Sequence, residues 1–399
     1  MVFYRSNLKI PVPLLSPGGF ISILPRYFLS GVLVGLSLMT GLSQASASTG
    51  LPGLQVQTVA QGLEHPWAIA FVDEQRFLVT ERKGRMRLVH ADGRIDPPLS
   101  GLPRVDAGGQ GGLLDLVTDP DFARNRWLYF CYTEPGEGGH NGTALARAQL
   151  SADLRQLQHV QVLFRQLPKM AGRLHFGCRI VIDRQGDLFL SLGERYAASA
   201  KAQTLDNHLG KIVRLRRDAR VPADNPFTGR AGALAEIWSY GHRNPQGAAL
   251  GPDGGLWVHE HGPQGGDEIN RIEPGRNYGW PVITYGEQYG GGKIGEGLTR
   301  REGMEQPLHH WTPSIAPSGL AFVQGERYGA QWRGSMIVGS LKFNRLHRLV
   351  WDGQRLVSEE VLSAGLTQRV RDVRQGPDGW LYIVTDAANG QLLRLVPQR

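Results

Sequence analysis

The sequence predicts an all-β fold, a six-bladed β-propeller of four-stranded antiparallel blades. Three observations carry this reading: short apolar runs bounded by turn residues recur along the chain, helical periodicity is absent, and Gly and Pro are abundant. With 53 Gly and 24 Pro but 41% apolar residues in 399, the chain is rich in turns without the composition of a disordered one.

The first element is a leader. Residues 1–48 hold Arg5, Lys9 and Arg26 and no acidic residue, then an apolar stretch from Tyr27 to about Leu42, then Ala45-Ser46-Ala47. That order of a charged, an apolar and a small-residue region reads as a cleaved Sec-type signal peptide. A membrane anchor is the alternative, disfavoured because the apolar core is short and broken by Gly31, Gly35 and Gly41. Residues 49–399 are therefore expected as a single catalytic propeller domain, periplasmic or secreted. Part of the formal charge of +8 leaves with the leader, so the remainder is mildly basic. No Lys/Arg run is interleaved with aromatics, which argues against nucleic acid. A basic interior pocket for an anionic ligand accounts for the same charge.

The blades follow in order. The first holds Pro66-Trp67-Ala68-Ile69-Ala70-Phe71, Phe77 to Glu81 and Met86 to Val89, and the second Gly112 to Leu116 and Trp127 to Tyr132. The third runs from Arg179-Ile180-Val181-Ile182 through Leu188 to Leu192 and on to Leu215. The fourth is marked by Pro252-Asp253-Gly254-Gly255-Leu256-Trp257-Val258. The fifth holds Ser318 to Phe322, Ser335 to Gly339 and Leu346 to Leu349, and the sixth Pro377-Asp378-Gly379-Trp380-Leu381 and Leu392 to Leu395. Inner runs are almost continuously apolar because neighbouring blades cover both faces. A spare strand, Leu54 to Ala60, is expected to complete the last blade and remove the ring's free edge. Cys131 and Cys178 both fall in strand-like segments and enter an oxidising compartment on the leader reading. Spacing leaves open whether they pair, and a small core residue is the simpler reading of Cys178.

Polar stretches cluster where the inner strands begin: Gly109-Gln110-Gly111-Gly112, Leu174-His175-Phe176-Gly177, Gly241 to Gly247, His259 to Pro263, Gly339 to Lys342 and Arg369 to Asp372. Singly, a histidine on an inner strand is most simply a satisfied core residue, and an Arg beside an Asp a structural pair. Recurrence at equivalent points of successive blades changes that. Arg243, Lys342, Arg369 and Arg371 would face one channel with few opposing carboxylates, an arrangement that calls for an anionic, carboxylated ligand.

The strings GQGGLLDLVTDPDF, LHFGCRIVID, SYGHRNPQG, HEHGPQGGDEIN, NYGWP, GSLK and RVRDV, in this order between about Gly62 and Leu395, resemble the soluble PQQ-dependent glucose and aldose sugar dehydrogenase family. The resemblance implies a PQQ over the channel mouth, with Lys342, Arg369 and Arg371 meeting its carboxylates and Arg243 and Asn244 beside its quinone oxygens. It implies that His175 is the general base for the sugar's anomeric hydroxyl while hydride passes from C1 to the quinone, giving a lactone. Glu194 would hold that histidine, Gln110 would orient the sugar hydroxyl, and Arg243 would stabilise charge on the quinone. The backbone carbonyls of Gly262 and Pro263 would hold a Ca2+ that also binds the cofactor, and Glu268 with the backbone of Tyr278 falls at a second, structural Ca2+ site. The implied partners are an aldose sugar and an unidentified periplasmic electron acceptor, for a monomer or homodimer. Leu174 departs from the family pattern, since glucose-specific members carry an acid there, and the short rim insertions imply an open pocket with a broad sugar preference. Two other readings fit a propeller: a Ca2+-dependent lactonase or esterase, and a non-catalytic glycan- or protein-binding module. The cationic channel argues against the first, and the second leaves the cation cluster unexplained.

Overall fold

The computed structural model describes residues 53–353 and 355–398, within one compact unit spanning Gly50–Arg399. The leader read at residues 1–48 lies outside the described residues. Six antiparallel sheets are arranged so that their first strands pack successively around an axis. Those inner strands are Pro66–Phe71, Leu113–Thr118, Gly177–Ile182, Pro245–Leu250, Pro317–Phe322 and Val370–Gln375. Each is buried over most of its length, as expected of strands covered on both faces. Helix is limited to a single turn, Phe122–Asn125, and short 3-10 segments.

Turn chemistry sets the hairpins. In the fourth and sixth blades, Asp253 and Asp378 accept the backbone N–H two residues on, and Gly254 and Gly379 take the left-handed conformation between them, both with φ 82°. The outer edge of the first blade departs from the expected pattern. Its sheet has three strands, Pro66–Phe71, Arg76–Glu81 and Arg85–His90, and the segment where a fourth would lie contributes one bridge, Ile95 to Val89. Pro97 and Pro98 follow and lack the N–H groups a ladder needs. The other five sheets have four strands each.

The expected closing strand is present and longer than read. Leu54–Leu63 pairs antiparallel with Gly390–Pro397 and forms the outer edge of the sixth blade. Early and late residues thus share one sheet, and the ring closes without a seam.

Midway along the axis the inner strands are tied by a buried ion network. The Arg179 guanidinium lies 2.8 Å from Asp372 and 3.3 Å from Asp115, and Arg374 lies 2.7 Å from Asp115 and 3.1 Å from Asp372. Arg179 also donates to the Gln246 carbonyl at 2.5 Å and stacks 4.2 Å from the centre of the Trp67 ring. Strands from five blades meet at these side chains. The remaining inner strand, Pro317–Phe322, approaches so closely at Gly319 that a Cβ there would sit 2.2 Å from the Val373 nitrogen. Only glycine permits that contact.

Cys131 and Cys178 form a disulfide, with Cα atoms 5.8 Å apart, joining the middle strand of the second blade to the inner strand of the third. The simple core reading of Cys178 is corrected: spacing in sequence carried no information on this pairing. The bridge closes 47 residues of chain. On the loop-entropy account, replacing both cysteines by Ala removes about 4 kcal/mol of stability. A denaturant titration of the double variant against the parent measures it, and a loss under about 1 kcal/mol would show that packing alone holds the two blades.

Candidate active site

Above the ion network, at the end of the axis where the inner strands begin, lies a cavity of about 320 Å³. His65, Trp67 and Arg82 of the first blade line one side, Gln110 and Phe176 the next, and Asn244, Gln246 and His261 the far wall. Arg369, Arg371 and Asp386 of the sixth blade close the circle. The recurring polar stretches of the sequence do converge here.

His175 stands one residue before the cavity-lining Phe176 and Gly177, 5% exposed. Its backbone is left-handed, φ 50°, and its N–H donates to the Gln110 side-chain oxygen at 2.8 Å. The imidazole Nδ1 lies 3.1 Å from Glu194 Oε1, and Nε2 has no hydrogen-bond partner among the described residues. Burial, the largest effect, pushes the His175 imidazole below its ordinary value of 6.5; the Glu194 hydrogen bond opposes this and the charge of Arg243 reinforces it. The result is a neutral ring, held in one tautomer by a buried carboxylate, with a free basic nitrogen. Gln110 therefore has a task beyond the one read from sequence, since its oxygen seats the histidine backbone and only its amide NH2 is left for a ligand.

The loop carrying His175 is fastened by a residue that sequence reasoning passed over. Buried Arg195 donates to the carbonyls of Leu174 at 3.1 Å, Gly172 at 2.8 Å and Asn141 at 3.0 Å, and its guanidinium lies 4.0 Å from the centre of the Phe176 ring. Its own N–H donates to the His175 carbonyl at 3.3 Å. Both flanks of the histidine thus rest on one side chain. Proximity to Glu194 in sequence was the only signal that could have found it.

The predicted cations divide. Arg371 and Arg369 line the cavity, but a carboxylate faces them: Asp386 lies 2.7 Å from Arg371 and 3.8 Å from Arg369, and also 2.9 Å from His65 Nδ1. Asp386 is the single carboxylate among the lining residues. Burial works against the charged form of Asp386, yet Arg371 and His65 outweigh it and hold the carboxyl well below the usual range. Arg82, which lines the cavity and donates to the Gly109 carbonyl at 2.7 Å, adds a cation the sequence reading missed. Lys342 is exposed beside the cavity-lining Leu341, its ammonium 5.0 Å from the Phe343 ring centre, and it has no ion-pair partner among the described residues. Arg243 is buried behind Asn244, donating from Nη1 to the carbonyls of His261 and Gly262 at 3.0 and 2.9 Å. The Nε atoms of Arg243 and Arg371 are buried without a partner, the condition expected of donors awaiting an acceptor.

Gly262, Glu260, Glu268 and Tyr278 adjoin Arg243 around a small void. Glu260 is engaged by His242 at 3.0 Å and by the Arg243 N–H at 2.5 Å, and Asp267 by the N–H groups of Gly262, Ile315 and Ala316. Among the described residues the Glu268 side chain accepts one hydrogen bond, from Asn270 at 3.3 Å, and burial, with the charges of Glu260 and Asp267, raises it well above the ordinary carboxylate range. Among the described residues no group of three or more His, Cys, Asp or Glu side chains is placed to hold a metal.

The fold is thus a six-bladed propeller with a cation-lined axial cavity near a buried histidine–carboxylate pair. The chain belongs to the glucose/sorbosone dehydrogenase family, whose model matches residues 63–394. It is 44% identical over 348 residues to the aldose sugar dehydrogenase YliI of Escherichia coli (strain K12), covering 86% of this chain and 93% of that protein. The crystal structure of the soluble aldose sugar dehydrogenase of Escherichia coli in its apo-form superposes with a TM-score of 0.83 at 43% identity, covering 86% of this chain and 100% of the other. The PQQ-bound form of the aldose sugar dehydrogenase of Streptomyces coelicolor superposes with a TM-score of 0.71 at 29% identity, covering 86% and 98%.

The balance of effects at His175 is testable without any ligand. Glu194→Gln removes the interaction that raises the imidazole, so the titration midpoint of His175 moves further down from its already lowered position. An NMR pH titration of the ring protons reads it, and an unmoved or raised midpoint would show that Glu194 does not control the ring.

Proposed function

We infer that the protein is a PQQ-dependent aldose sugar dehydrogenase that oxidises sugars at C1 to the lactone, with His175 as general base. One observation carries the reading: a histidine paired through Nδ1 with Glu194 directly precedes Phe176 and Gly177 of a cavity whose Arg369 and Arg371 suit an anionic, multiply carboxylated ligand. The residues fit the cofactor. Arg369 and Arg371 would hold its carboxylates from the sixth blade, with Lys342 reaching in from the rim. Arg243 and Asn244 would lie toward its quinone oxygens, where the partnerless Nε of Arg243 gains an acceptor. Bound PQQ supplies the two-electron oxidant that takes the hydride from the sugar's C1.

The chain's own residues do the rest. His175 Nε2 accepts the proton of the anomeric hydroxyl, and Glu194 at Nδ1 stabilises the imidazolium that forms. The Gln110 amide, left free by the bond from its oxygen to His175, is the donor nearest the sugar hydroxyls. Activity requires the neutral ring, so it is full above the folded pKa of His175 and lost as pH falls through it.

Ca2+ fits less simply. Glu268 and the backbone of Tyr278 offer hard oxygens where carboxylates crowd, and a dication would offset the burial and the charges of Glu260 and Asp267 that raise the Glu268 carboxyl. The Gly262 carbonyl, offered with that of Pro263 to a cofactor-bound Ca2+, already accepts from Arg243, and an ion there requires the guanidinium to release it. Export to the periplasm and an electron acceptor there complete the proposal.

Three measurements test it. An absorbance titration of the apoprotein with PQQ in the presence of Ca2+ should show stoichiometric binding, and aldoses should then reduce an artificial dye. His175→Ala should abolish dye reduction while leaving PQQ affinity within about threefold. Arg369→Ala should weaken PQQ binding at least tenfold, about 1.4 kcal/mol. Absence of PQQ binding would sink the reading, and so would dye reduction that survives loss of the imidazole.

A further inference from the structure

Tyr196 has no role in the chemistry above, yet it is built into the catalytic pair. Glu194 uses one carboxylate oxygen for His175 Nδ1 and the other for the Tyr196 N–H, so a single buried side chain fixes both residues. The tyrosine ring stands edge-on to the imidazole, ring centres 5.4 Å apart at 82°. It is 52% exposed and belongs to no core cluster, whereas the other ring-bearing neighbour of this loop, Phe176, is buried. Leu174, on the other side of His175, is 38% exposed. Large apolar surface is thus left in water on both sides of His175.

Holding it there has a cost. Arg195 and Tyr196 are both left-handed, φ 66° and 64°, as is His175. For residues with a Cβ this conformation is unfavourable by about 1 kcal/mol or more each and persists only where the surroundings impose it. Here they do so through Arg195, whose guanidinium is spent on the carbonyls of Asn141, Gly172 and Leu174. A half-exposed ring returns little folding energy for that strain. A return at the site accounts for it.

We propose that Tyr196 is a stacking platform for the sugar ring whose anomeric hydroxyl meets His175. A pyranose presents a face of C–H groups beside its hydroxyls. That face packs on an exposed aromatic ring, while the phenol hydroxyl can bond a ring hydroxyl. With the ring against Tyr196, the anomeric hydroxyl faces His175 Nε2, and the open side of the platform leaves room for sugars of differing length. The inference rests on the dehydrogenase reading for its substrate class, but on the geometry of residues 174–196 for its site.

The test separates the two. In PQQ-loaded enzyme, Tyr196→Ala should raise KM for aldopyranoses at least tenfold with kcat within threefold, and Tyr196→Phe should keep both within threefold. The inhibition constant of 1,5-anhydroglucitol, a glucose ring without the anomeric hydroxyl, should rise in parallel with KM, and PQQ affinity should stay within twofold. An unchanged KM and inhibition constant in Tyr196→Ala overturns the proposal. A fall in kcat at constant KM also overturns it, since that pattern marks a residue that only positions His175. Should the wild-type protein oxidise no aldose, the dehydrogenase reading fails, and calorimetric binding of 1,5-anhydroglucitol to wild type and Tyr196→Ala still decides the platform.

Discussion

Two arginines and two aspartates on the axis, all buried except the half-buried Arg374, set the geometry on which the rest of the structure depends. Arg179 and Arg374 each face both Asp115 and Asp372, so every charge has two opposite neighbours. Removing one member of such a set would strand its partners in a dry interior, which is far more costly than the set is stabilising. The aspartates do more than neutralise. Asp115 accepts the Ile180 N–H at 2.8 Å and Asp372 the Ile69 N–H at 3.3 Å, so the charges fix the height of one inner strand against the next. Apolar packing between blades could slide along the axis. This network cannot.

The site inherits its precision from that floor. His175 lies four residues before Arg179, Arg371 directly precedes Asp372, and Asn244 lies two residues before the Gln246 whose carbonyl Arg179 holds. Between His175 and Arg179 the Cys131–Cys178 bridge pins the same short segment to the second blade. The residues that border the cavity are therefore placed within one to four residues of this network. The features above this level are different in kind: Arg195, Gln110 and Glu194 hold a loop whose backbone is unfavourable, and they do it with hydrogen bonds to carbonyls and N–H groups, not with apolar contact.

Much of this was legible in the sequence, and the boundary of legibility has a physical cause. Period-two apolar runs and Pro-Asp-Gly turns are local, so the blades, the closing strand after Gly53 and the cluster of Arg369 and Arg371 could be read. His175 and Glu194 could be joined because the family resemblance implies their pairing. Contacts between blades leave no local trace. Asp386 meets His65 across 321 positions, and Arg179 meets Asp372 across 193. Hence the carboxylate facing the cations, the disulfide partner of Cys178 and the lodging of Arg195 under its loop all came from the structure. Lys342 shows the opposite case: its place in the chain was read well, but an exposed lysine's direction is set by neighbours such as Phe343, not by spacing.

The pairing of Leu54–Leu63 with Gly390–Pro397 also imposes an order in time. Blades one to five can assemble from residues close in sequence, whereas the sixth needs an early strand that waits, edge exposed, until almost the whole chain is available. The cavity lies across that same junction, since His65 comes from the early side and Asp386, Arg369 and Arg371 from the late side. A partly folded molecule therefore has no complete binding site, and competence to take up a ligand arrives in one step with the closing of the ring.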